Sequence, residues 1–92
     1  MTRQEFLTLQ LAALDALKSK RLIKGLYENK KGSCCAVGAL LRFVTPQTDL
    51  DLNACLLNRI TRLNDDGPPK ESPAARFVRV RSWVAAQLGG ES

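Results

Sequence analysis

Cys34 and Cys35 stand side by side and Cys55 stands apart, and their thiols are the strongest nucleophiles in the chain. In the first turn of a helix, Cys34 and Cys35 would meet exposed N–H groups and the positive end of the helix dipole, which lower a thiol pKa and favour the reactive thiolate. The competing reading, and the preferred one, makes them small apolar residues at a tightly packed helix start, where reduced cysteine is common. Histidine is absent, which excludes Cys-His and Ser-His dyads and removes the commonest metal ligand. Three thiols, two of them adjacent, do not supply the four ligands in Cys-x-x-Cys-like pairs that structural zinc requires, so no metal or cofactor is expected. Asp65 and Asp66, next to Gly67, read as turn residues that bond local backbone N–H groups, not as an acid–base pair. No glycine-rich phosphate loop occurs.

Binding is better represented than catalysis. Lys18, Lys20, Arg21, Lys24, Lys30 and Lys31 fall in one segment with Glu28 as its single acid, a surplus that equals the +5 net charge of the chain. A focused cationic patch attracts an acidic partner, with a strength that falls as salt rises. The alternative is a solvated loop that aids solubility. A second grouping lies towards the C-terminal end, where Arg76, Arg79 and Trp83 share a stripe beside an apolar helix face. Arginine and tryptophan are enriched at protein and nucleic-acid contacts alike. In the plainer reading Trp83 completes the core against the first helix and the arginines lie over its ring edge in water.

The elements that must position these residues are helical. Thr2 and Glu5 have capping-box spacing, and Phe6, Leu7, Leu11, Ala13, Leu14 and Leu17 recur at helical intervals behind them. The basic stretch, with Gly25 and Gly32, reads as a structured loop in which a short hairpin is an open alternative. Ser33 is a candidate N-cap for a second helix from Cys34 to about Val44, almost wholly apolar and expected to be the most buried element. Gly38 within it points to close approach by another helix. After Pro46, Thr48 and Asp51 offer another capping box for a helix from Leu50 to Leu63, with Leu52, Leu56, Ile60 and Leu63 on one stripe. Ser72 and Pro73 set a cap and first-turn proline for a fourth helix, whose core face is Phe77, Val80, Val84 and Leu88 and which stops at Gly89-Gly90. The spacing predicts an all-α, compact four-helix irregular or orthogonal bundle in a single domain spanning residues 1–92, with a frayed tail at 89–92.

Ninety-two residues bury only a modest core, which excludes large multi-part catalysts, and the 45% apolar content argues against disorder. The odd cysteine count, the lack of a secretory leader pattern and the lack of a membrane-length apolar run predict a reducing, cytoplasmic setting.

Gly32-Ser-Cys-Cys-Ala-Val-Gly-Ala-Leu40, Ile60-Thr-Arg-Leu-Asn-Asp65 and Arg76-Phe-Val-Arg-Val-Arg-Ser-Trp-Val84 occur in that order, behind Lys24-Gly-Leu-Tyr27. The chain resembles a group of short phage, prophage and bacterial proteins with a domain of unknown function. Their pattern is Leu-x-x-Gly-x-Tyr, Gly-x-Cys-Cys-x-x-Gly-x-Leu, Leu-Asn-Asp and Phe-x-x-Val/Ile-x-x-Trp/Tyr. The likeness runs over about residues 14 to 88. It implies a mobile-element setting and a small helical fold and brings no chemistry with it.

Together these observations lead to the expectation of a non-enzymatic phage or mobile-element protein that binds and blocks a host protein or ribonucleoprotein complex with an acidic surface. An anti-CRISPR-type inhibitor is its most concrete form. The expected steering charges are Lys18, Lys20, Arg21, Lys24, Lys30 and Lys31, and the expected contacts are Arg76, Arg79 and Trp83. Direct DNA or RNA binding through the same residues is the alternative, and a thiol enzyme using Cys34 or Cys35 comes third.

Overall fold

The computed structural model describes residues 2–25, 33–43 and 54–89, and among these the regular structure is entirely α-helical. Helix α1 spans Arg3–Ala16, α2 Ala36–Phe43, α3 Ala54–Asp65 and α4 Pro73–Gly89. Each helix packs on the next, and α4 returns to α1, closing an all-α four-helix bundle.

The capping box at α1 is formed. The Thr2 hydroxyl accepts the Glu5 N–H at 3.1 Å and the Glu5 carboxylate accepts the Thr2 N–H at 3.3 Å. These bonds satisfy two of the donors that every helix start leaves unpaired. Phe6, Leu7, Ala13 and Leu14 are buried on one side of α1. Gln10 is also buried among them, its amide donating to the Ala36 carbonyl at 3.1 Å. The Ser72 cap of α4 is likewise present, its hydroxyl accepting the Ala75 N–H at 3.1 Å ahead of Pro73. Phe77, Val80 and Val84 of α4 face the core, with Leu88 packed at its edge.

Helix α2 departs from the sequence expectation at its start. It begins at Ala36, and Ser33 is not its N-cap. The Cys34 carbonyl accepts the Ile23 N–H at 3.0 Å, so that backbone group serves a crossing segment instead of a helical turn. Cys35 takes the cap position: its carbonyl accepts the Ala39 N–H at 2.9 Å and its sulfur accepts the Gly38 N–H at 3.4 Å. All residues from Cys34 to Leu40 are buried, as expected for the most apolar element. Helix α3 contributes Ile60 to the core, with Leu56, Leu57 and Leu63 partly buried around it. At ~25 cal/mol per Å² of apolar surface removed from water, each fully buried leucine or isoleucine contributes about 2 kcal/mol to holding the four helices together. The expected cap at Thr48 and Asp51, the stop at Pro46 and the stripe member Leu52 lie outside the described residues.

Candidate binding surfaces

Residues 18–25 have no regular secondary structure, yet three other parts of the chain, Cys34, the end of α3 and the start of α4, hold them. The Leu22 side chain is fully buried; its N–H donates to the Pro73 carbonyl at 3.1 Å and its carbonyl accepts Arg76 Nη1 at 3.1 Å. Ile23 donates to the Cys34 carbonyl at 3.0 Å and accepts Asn64 Nδ2 at 2.9 Å. Gly25, at φ +75°, donates its N–H to Asp65 Oδ1 at 3.0 Å. A left-handed backbone of that kind suits a residue without Cβ. Asp65 was expected to bond local backbone; its partner here is 40 residues upstream.

The expected steering charges divide into two sets. Lys20 is anchored, its ammonium bonded to the Asp15 carbonyl and lying 5.7 Å from the centroid of the Phe77 ring. A cation at that carbonyl answers the negative end of α1. Lys18, Arg21 and Lys24 are exposed, and among the described residues their side chains have neither hydrogen bond nor ion pair. The bonds of Leu22, Ile23 and Gly25 fix the backbone at Arg21 and Lys24, which form a positive ledge, while Lys18 stands at the end of α1 and lines a pocket with Ala39, Arg42 and Phe43. Lys30 and Lys31 lie outside the described residues.

Arg76 and Arg79 do not form an outward stripe with Trp83. Arg76 is 9% exposed, bonded to the Leu22 carbonyl and with Nε 3.5 Å from Glu71 Oε1, an ion pair lacking hydrogen-bond geometry. Arg79 grips the Glu71 carboxylate with two bonds, Nε to Oε2 at 2.7 Å and Nη2 to Oε1 at 2.9 Å. It also reaches the Leu63 and Asn64 carbonyls at the C-terminal end of α3. Glu71 thus sits between two guanidinium groups with its side chain 5% exposed, and the Arg79 bonds hold its carboxyl below the usual carboxylate range. Both arginines therefore join the 66–72 turn, α3 and the 22–25 segment. Periodicity alone placed Arg76 and Arg79 beside the apolar face, but their carbonyl partners lie 54 and 16 residues away in sequence. Arg81 likewise forms a bidentate pair with Asp15 of α1, and its bonds lower the Asp15 pKa.

Trp83 is half-buried against the core, and the guanidinium over its ring belongs to Arg59 of α3, 5.5 Å from the centroid. Arg59, Arg62, Asn58, Leu63 and Trp83 line an open groove of about 680 Å³ between α3 and α4, with Cys55 and Asp66 towards its ends. Sequence reasoning passed over Arg59 and Arg62; their signal was an i, i+3 spacing off the Leu56, Ile60 and Leu63 stripe. Among the described residues neither guanidinium has a carboxylate partner.

None of the three cysteines is in a disulfide; Cys34 and Cys35 are buried and Cys55 is exposed. Among the described residues no group of three or more Cys, Asp and Glu could hold a metal ion, and no helix is long and apolar enough to cross a membrane. Compared with protein-family models, curated proteins and solved structures, the chain matches none.

Proposed function

We propose that this protein works by occupation: a phage or mobile element supplies it to cover an acidic surface of a larger host macromolecular complex, without chemistry of its own. An inhibitor of CRISPR immunity is the most concrete form of that role. The observation that carries the proposal is the set Lys18, Arg21 and Lys24, exposed cations without hydrogen bond or ion pair among the described residues, the last two on a backbone anchored by Cys34, α3 and α4. Anchoring the backbone beforehand lowers the ordering cost of association, and like charges held together speed encounter with an acidic partner. The mobile-element setting rests on the order of motifs from Gly32 to Trp83. Burial of Cys34 and Cys35 supports a packing role for these thiols over a nucleophilic one.

Capture from host lysate at low salt tests the reading. The expected result is a stoichiometric protein or ribonucleoprotein partner that is released by salt and lost with Lys18→Glu/Arg21→Glu/Lys24→Glu. Absence of such a partner, or equal capture by the triple variant, would count against it. Retardation of duplex DNA that the same triple change abolishes would replace the protein partner with a phosphate backbone.

A further inference from the structure

Three arginines of α4 and two of α3 differ in how their charge is answered. Arg76 and Arg79 face Glu71, and Arg81 faces Asp15. Among the described residues Arg59 and Arg62 face no carboxylate within pairing distance, and both line the groove that Trp83 also lines. Asp66 is the one carboxylate among the described lining residues, and its charge adds to the Glu71 bonds that raise the Arg79 pKa. The groove therefore presents two unanswered guanidinium groups, an indole, the Asn58 amide and an apolar wall from Leu63.

We propose that the α3–α4 groove is a binding site for single-stranded nucleic acid. A base stacks on the outer face of the Arg59 guanidinium, which Trp83 backs from below, while Arg62, one turn further along α3, takes a phosphate. Arginine planes and aromatic rings both serve as stacking platforms for unpaired bases, and guanidinium pairs with phosphate through two parallel N–H donors. Asn58 supplies a donor and an acceptor on the same exposed face for a base edge. The 680 Å³ volume is within the ~300–1,000 Å³ range of ligand-holding clefts.

A polymer fits better than a free nucleotide because the positive surface continues beyond the groove. The Gly25–Asp65 bond brings the Lys24 end of the ledge to the last turn of α3, the turn that carries Arg62. Successive phosphates then find cations on both sides of that helix end. An acidic peptide could satisfy Arg62, but it would leave the Arg59–Trp83 platform without a flat partner. These residues are distinct from Lys18, Arg21 and Lys24, so this proposal can fail while the previous one holds.

Trp83 is the single tryptophan, which makes its emission a direct reporter. The experiment titrates the full chain with a single-stranded RNA of about ten nucleotides, exciting where bases do not absorb. Saturable quenching of Trp83 is expected, and Arg59→Gln/Arg62→Gln should weaken affinity about tenfold while reducing the log–log salt slope by about 0.7, the one phosphate contact of Arg62. Asp66→Asn should strengthen binding. Both changes are at exposed positions, and far-UV circular dichroism verifies that the helices persist. The proposal is overturned if quenching is absent or if the double variant binds as tightly as the parent. It is also overturned if an oligoglutamate peptide or a nucleoside monophosphate, at equal charge concentration, quenches with the same midpoint.

Discussion

Asn64 accepts the Ala36 N–H on its Oδ1 at 3.1 Å, so the last turn of α3 caps the first residue of α2. The same buried amide donates to the Ile23 carbonyl at 2.9 Å and to Asp65 Oδ1 at 3.0 Å. One side chain thus joins α2, α3 and the base of the cationic ledge. Replacing it by alanine leaves a buried donor and a buried acceptor unpaired. Asn64→Ala should cost about 2–4 kcal/mol in urea unfolding, and Asn64→Asp should cost at least as much at neutral pH because a carboxylate cannot donate to Ile23. A loss below half a unit of that scale, about 0.5 kcal/mol, would remove Asn64 from its central position.

Glu71 gives the fold an acid sensitivity of predictable sign. Its carboxyl is held below the ordinary value of 4.5, first by the Arg79 bonds and then by the nearby Arg79 and Arg76 charges. A carboxylate whose pKa falls on folding stabilises the native state above the unfolded value, and that contribution vanishes as pH drops through the folded value. Thermal midpoints should therefore fall with acidification below about 4.5. Glu71→Gln should be less stable at pH 7 and show a shallower acid decline. Gly67 supports the same cluster, since a Cβ there would collide with the Glu71 carboxylate and Arg79 Nη2. Gly67→Ala should destabilise by about 1–3 kcal/mol through displacement of that ion pair.

Lys20 is in the left-handed region at φ 52°, unfavourable for a residue with a Cβ. Lys20→Ala loses the bond to the Asp15 carbonyl and retains the strain, whereas Lys20→Gly loses the bond and relieves the strain. The glycine variant should be the more stable of the two by about 1 kcal/mol. Equal unfolding midpoints would show that the backbone at this position is not strained.

Thiol accessibility separates the cysteines. Native protein treated with iodoacetamide should be alkylated quickly at Cys55 alone, with Cys34 and Cys35 reacting only after denaturation. Peptide mass mapping reads the sites. Rapid native labelling at Cys34 or Cys35 would restore the thiol-enzyme reading.

The helices were legible in the sequence because caps and apolar spacing are local. Thr2 with Glu5 and Ser72 with Pro73 marked two helix starts, and Phe77, Val80 and Val84 marked a buried face. The start of α2 was not legible, since Ser33 has the right chemistry for a cap but the Cys34 carbonyl is claimed by Ile23. The same limit applies to the sites. Lys18, Arg21 and Lys24 stood out as a local run of charge, whereas the approach of Arg59 to Trp83 joins two helices and leaves no mark in the spacing of either. Arg76 and Arg79 were misplaced for the converse reason: an arginine beside a core face is normally solvated, and nothing nearby in sequence announces its carbonyl partners.

The attachment of Leu22 and Ile23 to Pro73 and Cys34 also bears on how this molecule breathes. Their amide protons belong to no helix, yet they can reach deuterated solvent only when contacts reaching across more than half of the chain separate together. They should exchange as slowly as the interior of α4, so that the most protected irregular stretch lies directly beneath the cations offered to a partner.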